Sequence, residues 1–225
     1  TYRFVNIALA NELSSLFEKI GLDAFEVIAA ASTKPFGFQP FYPGPGVGGH
    51  CIPKDPHYLA FSAKQVGVRL RLVELSAEIN DTMAEHVIAR LERYLAGHGR
   101  MLAGSKAALL GLAFKADISD WRRSPSIALA EKLSKSGVDV QAYDPFIRSV
   151  ATDGGQLSST KTLNASLQGA DVLVLATPHS AFRKIKLSRV AKRMHPEAVV
   201  VDTRGFWTRS DCEKAGLNYL GIGRP

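Results

Sequence analysis

From Ser105 onward the chain alternates short apolar runs with amphipathic stretches, and that alternation narrows the possible folds more than any other feature. KAALLGLAF (106–114), VDVQAYDP (138–145), GADVLVLATP (169–178), EAVVVDTRG (197–205) and LNYLGI (217–222) each read as a strand. SPSIALAEKLSKSG (124–137) and SAFRKIKLSRVAKRM (180–194) read as helices between them. A strand that is apolar on both faces is covered on both, and intervening helices make its neighbours parallel. The expectation is a doubly wound, Rossmann-like parallel sheet, with 149–166, rich in Ser, Thr, Gly and Asp, as a loop.

Ligands of such sheets bind beyond the carboxyl ends of the strands. Those ends carry Phe114-Lys115, Asp144, Thr177-Pro178-His179 and Thr203-Arg204. Lys115 and Arg204 have the charge to neutralise a diphosphate, although a solvated loop cation would look the same. Asp144 reads as a turn residue before Pro145, and His179 as a cap for the helix that follows.

The first half of the chain has the helical period instead. Leu9, Leu13, Leu16, Phe17 and Ile20 mark one face of a first helix that Gly21 ends, and Asp23 with Glu26 opens a second through Ala31. A stripe of Leu72, Leu75, Ile79, Met83, Val87, Leu91 and Leu95 predicts one long helix from about 70 to 96. At 1.5 Å per residue it would reach ~40 Å, enough to tie two domains together. The expected organisation is α/β: an all-helical central region, 1–97, joined by that helix to the sheet domain, 98–225.

Between the second and third helices lies GPGVGGHCIPKDP, residues 44–56. Its glycines let backbone N–H groups approach a bulky or anionic ligand closely. Asp55 and Pro56 read as the N-cap and first residue of a helix that Gly67 closes. The positive end of that helix, near Cys51, favours a thiolate. By spacing alone, a small core residue accounts for Cys51 as well as a nucleophile does. Gly44, Gly46 and Gly49 match G-x-G-x-x-G as a string, but no apolar strand precedes them and no helix follows directly, so this is not a dinucleotide fingerprint.

Composition bounds the rest. The chain has 225 residues, 46% apolar, with mean hydropathy near zero, ample for a folded core. Lys and Arg exceed Asp and Glu by seven. The basic residues read as scattered and without an aromatic platform, so a nucleic-acid partner is not expected. Two cysteines, Cys51 and Cys212, make no disulfide framework and fit a reduced, cytoplasmic setting, with Cys212 an idle thiol. No run approaches the ~18 apolar residues of a membrane span, and no membrane partner is expected.

Several stretches together resemble the UDP-sugar 6-dehydrogenase family: VNIALANEL (5–13), FYPGPGVGGHCIPKDPHYL (41–59), EINDTM (78–83), GLAFKADISDWRRSPS (111–126), GADVLVLAT (169–177) and VDTRG (201–205). STKPFGFQPFYPGPGVGGHCIP (32–53) is most similar to the UDP-N-acetylglucosamine 6-dehydrogenases. His50 stands where UDP-glucose dehydrogenases usually carry Ser. The resemblance implies an NAD-dependent four-electron oxidation. The C6 alcohol of the sugar gives an aldehyde, Cys51 adds to it as a thiohemiacetal, a second hydride leaves a thioester, and water releases the carboxylate. It also implies that Asp55 assists proton handling, and that the backbone from Tyr42 through Pro43, Gly44, Pro45, Gly46, Val47 and Gly48 cradles the sugar and phosphates. Phe114, Lys115 and Arg204 would hold the UDP-sugar, and Lys54 and Arg122 would reach NAD. Arg123 departs from the acidic residue common after that arginine, and Lys54 from the aliphatic residue frequent in the acetamido subfamily.

Family members carry an N-terminal NAD domain and the pattern Lys-x-x-Glu-Asn-Thr-Tyr/Phe-Arg, of which this chain begins at the Thr. The chain is therefore expected to lack the NAD domain and to be inactive alone. A homodimer through the helical region is expected as well, since that region is too apolar for one small sheet domain to cover. The competing readings are UDP-N-acetylmannosamine or UDP-glucose as substrate, a UDP-sugar-binding and dimerisation module without chemistry, and another thiol-dependent aldehyde oxidoreductase, which would need its own NAD site in the sequence, and none is found.

Overall fold

The structure is a computed structural model that describes residues 1–225. Five helices come first: α1 (Tyr2–Ile20), α2 (Ala24–Ala31), α3 (Asp55–Gln65), α4 (Arg71–Asp81) and α5 (Met83–Gly97). Left-handed Gly21 ends α1, and Asp23 caps α2, accepting the Phe25 and Glu26 N–H groups at 2.7 and 3.4 Å. The cap expected at Asp55 is not made. Lys54 holds the N-cap position of α3, no side chain caps it, and the Lys54 and Asp55 N–H groups donate to the Cys51 carbonyl at 3.2 and 2.9 Å.

Helix α1 lies on α4 with the opposite face to the one its leucines suggest. Phe4, Ala8, Asn11 and Ser14 are buried, and on α4 Val73, Ser76 and Asn80. Leu9, Leu13, Leu16 and Ile20, like Leu72 and Leu75, stay exposed. The small side chains let the helices approach, and Asn11 Nδ2 donates to Asn80 Oδ1 at 2.9 Å across the contact. The expected long helix is two. Thr82 interrupts it, its hydroxyl donating to the Glu78 and Ile79 carbonyls at 3.0 and 3.1 Å, a back-bond that competes with the helical ladder. Beyond the break the expected stripe is buried: Met83, Val87, Leu91 and Leu95 join the core of the sheet, so packing continues past the expected join at 97.

The sheet holds five parallel strands in the order β2-β1-β5-β6-β7. These are β1 (Lys106–Leu110), β2 (Asp139–Tyr143), β5 (Val172–Leu175), β6 (Val199–Asp202) and β7 (Asn218–Gly221). Side chains alternate between two cores: Ala107, Leu109, Val172, Val174, Val199 and Val201 face α5 and α6 (Pro125–Lys135), while Ala108, Leu110, Leu173, Leu175 and Val200 face the other layer. That layer includes Phe182, Val190, Trp207 and Cys212.

Two expectations need correction here. The segment 149–166 contains a hairpin, β3 (Ser149–Thr152) with β4 (Gly155–Ser158), and the start of the short helix α7 (Leu163–Leu167). Residues 180–194 form no single helix. A 3-10 turn over Ser180–Lys184 gives way at extended Ile185 to the short α8 (Leu187–Ala191). Cys212 lies buried on the short helix α9 (Arg209–Lys214).

Because the strand order reverses between β1 and β5, their carboxyl ends diverge and leave a crevice where the connections part to opposite faces. The loop 42–52 reaches over that crevice from the helical half.

Candidate functional site

The Cys51 loop is suspended from α1 and α4. Gly44 N–H donates to Asn11 Oδ1 at 2.9 Å, Asn11 passes its amide to Asn80, and Asn80 Nδ2 donates to the Phe4 carbonyl at 3.2 Å. Tyr42 stacks on Phe25 with ring centroids 5.5 Å apart. Gly49 has φ 93 and leaves no room for a side chain, since a Cβ there would lie 2.8 Å from Phe114 Cε2. A Cβ at Gly44 would lie 2.7 Å from an Arg204 guanidinium nitrogen. The glycines therefore serve a close approach between halves: the cysteine loop lies against Phe114 after β1 and Arg204 after β6.

The two walls enclose a cleft of about 510 Å³. Tyr42, Gly44, Gly46, Val47, Gly48 and Cys51 line it from the helical half, and Phe114, Lys115 and Arg204 from the sheet. Cys51 is exposed to it, with its sulfur 3.8 Å from His50 Nδ1. Arg204 anchors itself by donating from Nε to the Ala176 carbonyl at 3.0 Å. Burial pushes its guanidinium down to about 10, still charged at neutral pH. Neither Lys115 nor Arg204 forms an ion pair with a carboxylate, and no acidic residue lines the cleft. The result is an unneutralised pair of cations, a glycine-rich backbone and a free thiol around one space, suited to an anionic ligand with a reactive end.

Other residues singled out from the sequence lie elsewhere. Pro43 and Pro45 are buried beneath the loop. Asp55 is exposed in the first turn of α3 and does not line the cleft. Lys54 lies over the Tyr58 ring, 5.2 Å from its centroid. Arg122 grips both carboxylate oxygens of Asp120, Nε to Oδ1 at 3.0 Å and Nη2 to Oδ2 at 2.7 Å, and this holds Asp120 down to about 2. Three lining residues were not singled out: Ile7, Ile52 and Arg3, a third cation without an ion pair. The signal for Arg3 was present, because it ends the Thr-Tyr-Arg at the head of the chain.

Asp144 and His179 also do more than their sequence positions suggest. The Asp144 carboxylate is buried and accepts N–H groups from Leu112, Ala113, Phe146 and Ile147 at 2.6–3.1 Å. Burial works to raise its pKa, but the His179 contact and these donors outweigh it and hold the carboxyl below its ordinary range. His179 is fully buried and holds the N-cap position of the turn that follows, but its side chain makes no cap bond; it bridges Asp144 and Asp117.

Sequence profiles of the UDP-glucose/GDP-mannose dehydrogenase family match both halves, the central domain over residues 1–82 and the UDP binding domain over 108–209. The chain belongs to this family. Its relatives include the UDP-N-acetyl-D-mannosamine dehydrogenase of Pyrococcus horikoshii, 33% identical over 224 residues, which are 100% of this chain and 50% of the relative. The UDP-N-acetyl-D-glucosamine 6-dehydrogenase of Pseudomonas aeruginosa is 32% identical over 205 residues, 91% of this chain and 48% of the relative. Among solved structures, the NDP-N-acetyl-D-galactosaminuronic acid dehydrogenase of Methanosarcina mazei Go1 superposes with a TM-score of 0.90 at 29% identity, covering 99% of this chain and 48% of that one. The chain thus spans about half the length of the dehydrogenases it matches. Family members are named for different sugars, which leaves the fold and the nucleotide class as the common ground.

Proposed function

We propose that this chain forms the nucleotide-sugar wall and supplies the sulfur nucleophile of an NAD-dependent dehydrogenase that oxidises the C6 alcohol of a UDP-hexose to the uronic acid. The observation that carries the reading is the cleft that gathers Cys51 with Arg3, Lys115 and Arg204 and excludes acids. The cations suit the diphosphate, and the glycine backbone suits a sugar pressed close to it. Cys51 Sγ adds to the carbon of the C6 aldehyde, and the acyl group it later carries passes to water as the carboxylate. UDP-N-acetylglucosamine is the substrate proposed, on the similarity of residues 32–53 and on His50 in the cleft wall; UDP-N-acetylmannosamine and UDP-glucose are the alternatives.

The dinucleotide does not fit this chain. Gly44, Gly46 and Gly49 lie between non-regular backbone and the turn at 51–54, not between a strand and a helix, and Arg122 is engaged by Asp120. We therefore place NAD on a part of the complete protein outside residues 1–225. No step of the reaction is assigned to these residues beyond binding and the work of the sulfur. It follows that the isolated chain binds UDP without turnover. Calorimetry should show UDP binding, and NADH appearing when the chain is mixed with NAD+ and UDP-N-acetylglucosamine would overturn the assignment. In the complete protein, Cys51→Ala should abolish uronic acid formation across a panel of UDP-sugars. We also assign the exposed leucine face of α1 to a homodimer contact, because Leu9, Leu13, Leu16 and Ile20 form a continuous apolar strip along it.

A further inference from the structure

Phe114 and Lys115 meet the cleft from a loop that is neither helix nor strand. It runs from Leu112 to Asp120 and closes where Phe114 N–H donates to the Asp120 carbonyl at 3.0 Å. Its grip on the sheet comes largely from two buried side chains. Asp144, just past β2, accepts the Leu112 and Ala113 N–H groups on Oδ2 at 2.6 and 3.1 Å. His179, past β5, has Nε2 3.0 Å from the same oxygen and accepts Asp117 N–H on Nδ1 at 2.9 Å. An imidazole that accepts on Nδ1 carries its proton on Nε2, so the network assigns the neutral tautomer with Nε2–H donating to Asp144.

The pair thus holds the chain immediately before and shortly after the two residues that face the cleft. Asp117 itself has φ 62, a conformation L residues adopt reluctantly, and its carboxylate is fixed by Ser180 N–H and Oγ at 2.9 and 3.0 Å. The Phe146 and Phe182 rings flank His179, their centroids 5.2 and 5.4 Å away. An apolar residue would pack between them, but it would offer nothing to Asp117 N–H or to Asp144. Burying two polar groups far from solvent is costly, and what the cost secures here is the course of one loop.

We infer that His179, together with Asp144, is a positioning pair for nucleotide recognition: it touches no ligand but sets where Lys115 and Phe114 stand against the diphosphate. This rests on the reading of the cleft as the UDP site. The test is a double-mutant cycle on UDP affinity, measured by calorimetry on the intact protein as wild type, Lys115→Ala, His179→Leu and the double variant, with melting curves alongside. His179→Leu should weaken UDP by about tenfold. The same substitution in the Lys115→Ala background should have much less effect, since the residue it positions is gone. His179→Asn, which keeps an acceptor for Asp117 N–H, should recover most of the affinity.

Undiminished affinity in His179→Leu, or an equal loss in both backgrounds, would overturn the inference while leaving the cleft reading intact. No UDP binding by the wild type would overturn both. Should His179→Leu not fold, His179→Gln, which keeps an amide at the reach of Nε2 for Asp144 but puts carbon where Nδ1 accepts from Asp117 N–H, runs the same cycle.

Discussion

The two thiols of this chain differ in exposure and in the groups around them. Cys51 is exposed in the cleft beside His50, whereas Cys212 is buried under the sheet and its thiol is pushed up to about 12 by burial and the nearby carboxylates. Iodoacetamide added to the native protein should therefore modify Cys51 alone, and peptide mass spectrometry checks it; modification of Cys212 at a comparable rate would contradict the burial. Asp144 gives a second prediction. Its folded-state pKa lies below the ordinary value of about 4, so the stability it contributes is present in full above that value and is lost as pH falls through the folded one. Asp144→Asn should flatten the acid limb of melting temperature against pH and leave the profile above pH ~5 unchanged in shape. At this scale the places of the cysteine, its glycines and the cations were readable, because a glycine-rich turn and the ends of strands mark them, and the structure brings them around one cleft; position alone did not separate Cys51 from a core residue or the cations from solvated ones. The roles of Asp144 and His179 were not readable, since the groups that define them, Leu112, Ala113 and Asp117, lie 31 to 62 residues away along the chain.

At the scale of elements, periodicity found α1 and α4 but assigned their faces wrongly. Large apolar residues normally mark the buried side, yet here the contact runs through Ala8, Asn11, Ser14, Ser76 and Asn80, residues whose small volume or amide bonds favour close approach. Asn80→Ala would leave the Asn11 amide without its acceptor in a buried contact, at a cost of about 1–3 kcal/mol. Denaturant unfolding measures this, and a loss below a few tenths would mean that the two amides are dispensable. The hairpin β3–β4 was hidden by its polarity, although Asp153-Gly154 is a turn signal of the kind that joins two short strands. The five parallel strands were plain because a strand buried on both faces has little freedom in composition.

At the scale of the molecule, the charge is less evenly spread than the sequence suggests at first reading. Arg183, Lys184, Lys186, Arg189, Lys192 and Arg193 follow one another, all exposed, with no acid between Ser180 and Pro196. The apolar strip of α1 lies in the helical half, apart from that basic segment. If the strip is where two copies meet, Leu13→Asp with Leu16→Asp should convert a dimer to a monomer in sedimentation velocity without unfolding it; a wild type that sediments as a monomer would remove the premise. The halves of one copy are tied at several places. Thr82 joins their helices, Glu18 receives Arg90 and Gly223 N–H at 2.7 Å each, Ala24 N–H donates to the Gly223 carbonyl at 2.7 Å, and Arg224 pairs with Asp23 at 2.9 Å. The cleft lies between the two bodies that these ties connect. A molecule touching both sides at once would act as a strut, so whatever binds here also becomes, for as long as it stays, part of the scaffold.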